Sequence, residues 1–502
     1  MAISIRDFGK TPADLMCEGL PSRPLTGLGI ILVTGASGYI GGRLVPELVA
    51  RGYKVRAMVR GDIEPFQAIW PGVEVISADA LNLGHLERAL EGVEVAYYLI
   101  HSLYLGLKEF EYADLKAAGN FRIAAEKAGV KRIIYLGGLG DKRAGLSSHL
   151  RSRIEVANEL IKAKIPITIL RAAVIIGSGS ASYEIINSLV KKLPVIPIPP
   201  WAENRCQPIS IRDVVKYLVG VLEVAGTSGK YFDIGGADVL DYEHMLRDLA
   251  EIISRRTIFI HTPLSMISFH AYLVSLITPV PNNITQCLMR GLVDEVVCRD
   301  DSIKNYLPFQ TMTYKEAIIR AMSREEQDRV YTRWSDAYPP AHELALKLNE
   351  LPKVAFMKRY SIDSPKPASA LFNSICKIGG REGWFNNNWM WRLRGGVDRL
   401  ILGIGSSRGR KSYKHLEVND VIDFWRIEDI RKDQRLLLRA EMKLPGKAWL
   451  EFRIKENDTK RELSTTAYFD THSLFGKIYW TIFLPFHHFI FKKLIIAISE
   501  RS

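Results

Sequence analysis

Cysteine is scarce in this chain: the five residues among 502, Cys17, Cys206, Cys287, Cys298 and Cys376, lie far apart and form no CxxC pair. That spacing argues against a disulfide framework or a zinc site and suits a reducing compartment. The N-terminus, MAISIRDFGKTPADLMCEGL, has charges where a secretory signal needs an apolar centre. No helix-turn-helix, zinc-finger or RNA-recognition signature accompanies the net charge of +13, so nucleic acid is not an expected partner. A clean membrane span is missing too. Residues Thr257 to Val280, TIFIHTPLSMISFHAYLVSLITPV, carry no charge, but Pro263, Pro279, two histidines and several hydroxyls interrupt them. They read as a buried lobe helix or the wall of an apolar pocket. The closing stretch GKIYWTIFLPFHHFIFKKLIIAIS is broken by Lys477, His487, His488, Lys492 and Lys493, and reads as a helix covering one face of a sheet. Adjacent histidines diverge on a helix and no carboxylate is near this pair, so no metal is expected.

An apolar content of 47% and a charged content of 25% are those of a globular protein. The length implies two or three domains. Within 28–330, apolar runs such as GIILVTGA, YKVRAMVR, VEVAYYLI and VKRIIYLGG alternate with helix-period stretches such as GGRLVPELVARG and ADLKAAGNFRIAAEKAG. This alternation predicts an α/β fold with a doubly wound parallel sheet. Residues 1–27 form an N-terminal extension, and about 181–330 form a substrate lobe with amphipathic helices and the loop KKLPVIPIPPW. Residues 331–370, containing SDAYPPAHEL and SIDSPKPASA, read as a linker or junction. In 371–502, short runs alternate apolar and polar positions (DVIDFWRIEDI, RLLLRAEMKL, AWLEFRIK), the pattern of an antiparallel sheet, and RLILGIGS is taken as one of its strands. The charge is lopsided: residues 351–502 hold 28 Lys/Arg against 16 Asp/Glu. A basic end of this kind fits a solvated surface, an acidic partner or an anionic membrane. There, Arg392, Arg394, Arg399, Arg408 and Arg410 fall close together, and strand spacing puts Arg392 and Arg394 on one face, toward an anionic head group or the first domain.

The strongest motif is ILVTGASGYIGGRL, which sets Gly35, Gly38 and Gly41 between a strand and a helix. Gly35 permits the tight turn, Gly38 lets backbone approach a pyrophosphate, and Gly41 allows helix and strand to pack closely. The helix N-terminus then offers N–H groups to phosphates. Thr34, Ser37, Tyr39 and Ile40 complete this loop. The next strand ends in Arg60, where an NAD site usually carries an acid for the ribose hydroxyls; Arg56 precedes it on the same strand. A guanidinium grips a 2′-phosphate, so NADP(H) is favoured over NAD(H).

The motifs TGASGYIGGRL and LRAAVIIGSGSAS resemble those of extended and atypical short-chain dehydrogenase/reductases, in particular the NmrA-like and complex-I-accessory-subunit branches, over about residues 28–330. The resemblance implies that Asp79 and Ala80 border the adenine, that Leu99, Ile100 and His101 lie along the cofactor, and that Gly137 to Leu139 approach the nicotinamide. In 351–502, WMWRLRGGVDRLILGIGSSRGR, DFWRIED and AEMKLPGKAWLEF resemble an uncharacterised domain fused to such reductases in bacteria. That domain is similar to START-like helix-grip folds, in which a curved sheet and a long C-terminal helix enclose an apolar cavity.

The same family keeps a tyrosine with a lysine four residues later, and a serine, to protonate and hold the substrate oxygen. Here the stretch SSHLRSRIEV supplies His149 and Arg153 instead, and the serine's strand end reads Gly137-Gly138. Imidazole titrates near ~6.5 and suits general acid–base work. Arg153 remains a donor to ribose hydroxyls but is not deprotonated. His149 and Arg153 are therefore the catalytic candidates. Ser178, Ser180, Ser182 and Tyr183, and also His101 and Ser102, follow strands on the same side; such residues are more often turn formers and caps. The expected function is an NADPH-dependent oxidoreductase acting on a bulky apolar molecule: a lipid, quinone or isoprenoid-like compound. The alternative is a non-catalytic NADP(H)-binding redox sensor or an assembly factor for a membrane complex. The expected setting is cytoplasmic, with peripheral binding to an anionic membrane surface. No feature of the sequence sets an oligomeric state.

Overall fold

The computed structural model describes residues 15–502 except 61–62, 102–108, 141–147, 327–331, 338–347, 349–353, 381, 386–387, 401–404, 406–415, 417, 419 and 458–459. The chain divides into two compact units, Met1–Ile277 with Asn283–Tyr338, and Thr278–Asn282 with Pro339–Ser502.

The first unit is built on seven strands: β1 (Ile30–Val33), β2 (Val55–Val59), β3 (Glu74–Ser77), β4 (Val93–Tyr98), β5 (Arg132–Gly138), β6 (Ile167–Ala172) and β7 (Tyr231–Ile234). All pairings are parallel, in the spatial order β7-β6-β5-β4-β1-β2-β3. This is the doubly wound Rossmann arrangement expected from the alternating sequence. The central strands are largely apolar because helices cover both faces, with Arg56, Glu94 and Arg132 as charged exceptions toward their starts. Side chains alternate between those faces. Ile31, Val33, Ala57 and Tyr97 pack against α1 (Gly41–Ala50) and the helix Ile211–Glu223. Leu32, Met58, Ala96 and Tyr135 pack against α2 (Leu83–Leu90), α3 (Glu109–Lys127) and α4 (Ser148–Ile161). The N-terminal extension joins this core from residue 15: Met16, Cys17 and Leu20 are buried, and Glu47 of α1 accepts from the Met16 and Cys17 amides at 2.7 and 3.0 Å.

Around the sheet's C-terminal side, a lobe gathers Tyr183, Ile186, Met245, Leu249, Ile318 and neighbours into a core of its own. The uncharged stretch 257–280 departs from expectation. It forms a strand, Ile258–His261, and a helix, Ile267–Ile277, in which only His270, Ala271 and Ser275 are buried. Ile258, Met266 and Phe269 are exposed, so apolar composition there does not mean a buried helix.

The second unit is a six-stranded antiparallel sheet in the spatial order Phe356–Ser364, Lys460–Asp470, Lys447–Asn457, Arg435–Ala440, Trp425–Arg431 and Val421–Ile422. The strand Phe356–Ser364 and the helix Ala368–Ile375 occupy much of what reads as a linker. Of SIDSPKPASA, the first four residues end the nine-residue edge strand, Pro365 to Pro367 make the turn, and the last three open that helix. A 27-residue helix, Leu474–Glu500, ends the chain; at 1.5 Å per residue it is about 40 Å long. Its N-cap, Ser473, accepts from the Gly476 amide at 2.9 Å. Trp480, Phe491, Leu494, Ile495 and Ile498 sink into the core formed with the sheet, while Leu474, Phe475, Ile478 and Ile482 stay exposed. By length and composition it is the one helix among the described residues able to cross a membrane.

One strand expectation fails here. Asn388–Leu400 is a helix. Residues two apart on a helix point in different directions, so Arg392 and Arg394 do not share a face. Arg392 is exposed, Arg394 donates to the Lys443 carbonyl at 3.2 Å, and Arg399 is buried. Arg408 and Arg410 lie outside the described residues.

Candidate functional site

The sheet order reverses between β4 and β1, and in an open α/β sheet the crevice at that reversal, beyond the strands' C-terminal ends, is where ligands bind. Thr34, fully buried, ties these two strand ends together. Its hydroxyl donates to the Tyr97 carbonyl at 2.9 Å and accepts from the Leu99 amide at 3.1 Å. Gly35 has φ of +62°, and a Cβ there would lie 3.0 Å from the Leu99 carbonyl oxygen; both conditions call for glycine. A Cβ on Gly41 would run into the Gly35 carbonyl and sit 2.8 Å from Ala36 Cα. The Gly38 amide donates to the Gly35 carbonyl at 2.9 Å, closing the turn. Ile40, at the cap of α1, has no side-chain oxygen and makes no capping bond. No side chain consumes the N–H groups at this helix start, although the Gly42 and Arg43 amides already donate to the Gly38 and Ile40 carbonyls at 2.9 and 3.0 Å, so an anion would be met by the backbone just ahead of them.

Tyr39 has a different task. The Arg43 guanidinium sits 4.2 Å above its ring, and Arg43 donates to the Tyr39, Thr332 and Ser178 carbonyls at 3.0, 2.9 and 2.8 Å. Burial raises the Tyr39 phenol's pKa. This pair locks the loop to the segments bearing Ser178 and Thr332.

At the rim, Arg60 follows β2 and is exposed, with the Asp79 carboxylate as its charged neighbour. Asp79 accepts from the Leu81 amide at 3.0 Å, and the Ala80 carbonyl accepts from Asn120 at 3.1 Å, which shapes the turn after β3. Arg56 does not belong to this rim. Its guanidinium donates to the Ala89 and Glu91 carbonyls at 2.9 and 2.6 Å and pairs with Glu74 at 2.9 Å, away from any phosphate of a ligand at the strand ends.

Between the ends of β4 and β5 the structure assembles a group that sequence reading did not find. Asp114 of α3, only 1% exposed, lies 2.9 Å from His101 Nδ1 and 3.3 Å from Arg153 Nη2. Arg153 is itself buried, and its guanidinium lies 5.7 Å from the centre of the Tyr135 ring. Tyr135 donates to the Arg153 carbonyl at 3.1 Å. A Cβ on Gly138 would be 3.4 Å from Arg153 Cγ, so the absence of a serine near this strand end lets α4 come close. Burial, aided by the Arg153 charge, lowers the pKa of His101, and Asp114 only partly opposes it. Its imidazole is neutral at physiological pH. Donation from Nδ1–H to the carboxylate selects the tautomer whose Nε2 carries the lone pair.

A signal for Asp114 existed in the sequence. On α3 it stands three, four and seven residues before Ala117, Ala118 and Phe121, all buried, so an acid occupies the apolar stripe. His149 lies in the first turn of α4, but its side chain is outside the described residues, as is Ser102. Leu99 and Ile100 are half-buried beside His101, and Gly137 is half-buried at the end of β5. Ser37 and Gly38 are likewise half-buried in the loop. The serine-rich loop is structural: Ser180 caps the helix Ala181–Lys192 through the Tyr183 amide at 3.2 Å, Ser178 lends its carbonyl to Arg43, and Tyr183 is wholly buried.

Residues 29–257 match the NmrA-like family, and residues 351–494 match a family described as a protein of unknown function (DUF2867). The chain thus carries an NmrA-like domain followed by a DUF2867 domain. Among curated relatives, it is 27% identical over 233 residues to the mitochondrial NADH dehydrogenase [ubiquinone] 1 alpha subcomplex subunit 9 of Arabidopsis thaliana, covering 45% of this chain and 57% of that one. It is 24% identical over 258 residues to the chloroplastic divinyl chlorophyllide a 8-vinyl-reductase of Arabidopsis thaliana, covering 48% and 61%. It is 28% identical over 195 residues to the ceramide reductase of Caulobacter vibrioides (strain NA1000 / CB15N), covering 38% and 60%. The chain spans about three fifths of the length of these relatives.

Proposed function

We propose that the first unit is an NADP(H)-dependent oxidoreductase acting on a bulky, largely apolar molecule. The observation that carries this reading is the uncapped, glycine-shaped start of α1 at the reversal of strand order, with Arg60 on the adjacent rim. When bound, the dinucleotide supplies or accepts the hydride. Thr34 to Gly41 hold its pyrophosphate, Arg60 pairs with the 2′-phosphate, and Asp79 and Ala80 border the adenine. Leu99, Ile100, His101 and Gly137 flank the rest. Arg153, fixed by Asp114, donates to the ribose as the family's lysine would. Two of the relatives are named as reductases, a ceramide reductase and a divinyl chlorophyllide a 8-vinyl-reductase.

The His101–Asp114 pair is suited to proton removal. A neutral imidazole oriented by a carboxylate takes the proton from a substrate hydroxyl at Nε2 while the carbon loses hydride. In the opposite direction, protonated His101 returns that proton to the oxygen, so reduction is favoured as pH falls. His149 is the second candidate for this role, and comparison of His101→Ala with His149→Ala separates them. The member that matters should lower turnover by roughly 10²–10⁴ with nucleotide binding retained.

Calorimetry with NADPH and NADH tests the reading as a whole. NADPH should bind about 10–100-fold tighter, the worth of one charge-assisted contact, and Arg60→Asp should reverse the order. Equal affinities would remove the NADP assignment, and no binding of either would remove the oxidoreductase. Tight NADPH binding with no turnover across apolar ketones, aldehydes and quinones would favour the second reading, a redox sensor or assembly factor, to which the absence of the tyrosine, lysine and serine also points. For the second unit, exposed Arg392, Lys443 and Lys477 beside exposed Trp389, Leu393 and Phe475 support peripheral attachment to an anionic membrane.

A further inference from the structure

Two segments in the lobe of the first unit hold no acidic residue. Residues 185–202 carry Lys191 and Lys192, and residues 252–277 carry Arg255 and Arg256, without one Asp or Glu. The fold brings these segments together. The strand Val195–Ile198 pairs in parallel with Ile258–His261, which sets Val195 beside Ile258 and Pro197 beside Ile260. Alternate residues of a strand share a face, and here both faces of the ribbon are apolar. Ile196 and Ile198 are buried in the lobe core, whereas Val195, Ile258 and Ile260 are 40%, 61% and 50% exposed on the other face. Pro197 is exposed with them.

The apolar surface continues past the ribbon. Leu264 and Met266 come next in the chain and are exposed, and Phe269 and Leu273, one turn apart on the helix Ile267–Ile277, extend the strip along one helix edge. Cations gather at its margin. Lys192 donates to the Ile277 carbonyl at 2.6 Å, Arg255 donates to the Lys191 carbonyl, and the Lys191 and Arg256 side chains are exposed. Nearby acids are already engaged. Glu251 pairs with Lys315 at 2.6 Å, and Glu243, which meets His261 at 2.9 Å, also holds Arg247.

An exposed apolar patch with a polar rim marks a surface that meets something, and the sign of the rim selects what. A second copy of the chain would bring more lysine and arginine from the same two segments and no carboxylate to answer them. A bilayer containing anionic lipid supplies an apolar boundary for the side chains and negative charge for the rim.

We propose that this face of the lobe rests on an anionic lipid bilayer, with Ile258, Ile260, Met266 and Phe269 entering the head-group boundary and Lys191, Lys192 and Arg256 meeting lipid phosphates. Behind the ribbon, Ile196 and Ile198 share a core with Leu150 of α4, the helix that carries Arg153. The membrane contact thus belongs to the lobe that adjoins the candidate site. Delivery of an apolar substrate from the bilayer rests on the oxidoreductase reading; the contact itself does not.

The test uses the full chain and vesicles of equal parts phosphatidylcholine and phosphatidylglycerol. These vesicles should slow hydrogen exchange in peptides covering 258–273, and phosphatidylcholine alone should not. In flotation titrations, Ile258→Thr/Met266→Gln/Phe269→Gln should weaken binding at least tenfold. Lys191→Glu/Arg256→Glu should weaken it about 25-fold or more, at about fivefold for each cation removed. Near-ultraviolet circular dichroism checks that the variants are folded; if the triple variant is not, the charge variant decides. Phe475→Gln/Ile478→Gln, in the second unit, should leave the protection of 258–273 in place. Protection confined to second-unit peptides, protection lost in that second-unit variant, or native affinity in the folded lobe variants overturns the proposal. Protection of 258–273 that needs no lipid and vanishes on dilution overturns it in favour of a second copy of the chain. Calorimetry with NADPH separates the two readings: the lobe variants should keep native affinity, and a chain that binds no NADPH yet shows the vesicle protection refutes the oxidoreductase while upholding the membrane contact.

Discussion

Replacing Asp114 by alanine should be among the most damaging single changes in the first unit. The carboxylate is 1% exposed and holds two neighbours, the Arg153 guanidinium at 3.3 Å and the His101 imidazole at 2.9 Å. Removing it leaves the Arg153 charge in a setting with 7% exposure. Breaking a buried pair by deleting one partner costs about 3–5 kcal/mol, mostly because the surviving charge has lost its compensation. Asp114→Ala/Arg153→Met removes that surviving charge as well and replaces its stem with an apolar one of similar length. The double variant should therefore be less destabilised than the sum of the singles by at least about 1.5 kcal/mol. A chain of two units need not unfold in one step, so the measurement should be local. Native-state hydrogen exchange on peptides from Glu109–Lys127 reads the opening free energy of α3 itself. A loss below about 1 kcal/mol in Asp114→Ala, or additive singles, would show that Asp114 does not support a buried charge.

Gly35→Ala should lower NADPH affinity at least tenfold, since φ of +62° strains a side chain and its Cβ would press on the Leu99 carbonyl; calorimetry showing native affinity would remove the glycine argument. If His101 is the proton acceptor, oxidation of an alcohol should be flat with pH above neutrality and fall only below the ordinary imidazole value of about 6.5, because its pKa is lowered in the fold; a rate falling from pH 8 downward would contradict this. The second unit should lose stability in acid through His487, whose folded value of about 4 lies below the unfolded one of about 6.5. Between those values the unfolded chain binds more protons, so stability falls as pH drops from about 6.5 to 4, by up to about 3 kcal/mol; His487→Leu should flatten that slope, and an unchanged slope would acquit the residue. In vesicle flotation, binding should need anionic lipid and decline as salt rises, since exposed charges are screened within ~8–10 Å; attachment that survives high salt and alkaline carbonate would mean an inserted segment instead.

The first unit was legible because two local rules agree there. Strand-length apolar runs separated by helix-period stretches leave little freedom but a parallel sheet, and a glycine triplet between strand and helix places the phosphate loop at the reversal of strand order. What could not be read was any feature made by distant residues meeting. Asp114 and Arg153 are 39 positions apart, and neither spacing nor type announces that α3 and α4 bring them together between two strand ends. Only the acid's place in an apolar stripe hinted that it needed a partner. The misreading of Arg56 has the same origin: on its strand it looks like a companion to Arg60, but the Ala89 and Glu91 carbonyls at the end of α2 capture it. In the second unit, local signals competed. WMWRLRGGVDRL mixes aromatic and branched residues, which favour strands, with an apolar set at Trp389, Leu393, Val397 and Leu400 whose spacing of four, four and three is helical. Helix won, and those four residues are exposed rather than buried. An amphipathic helix whose apolar edge is left in water satisfies no folding requirement of its own. Its sequence is explained better by what the unit must rest on than by what holds the unit together.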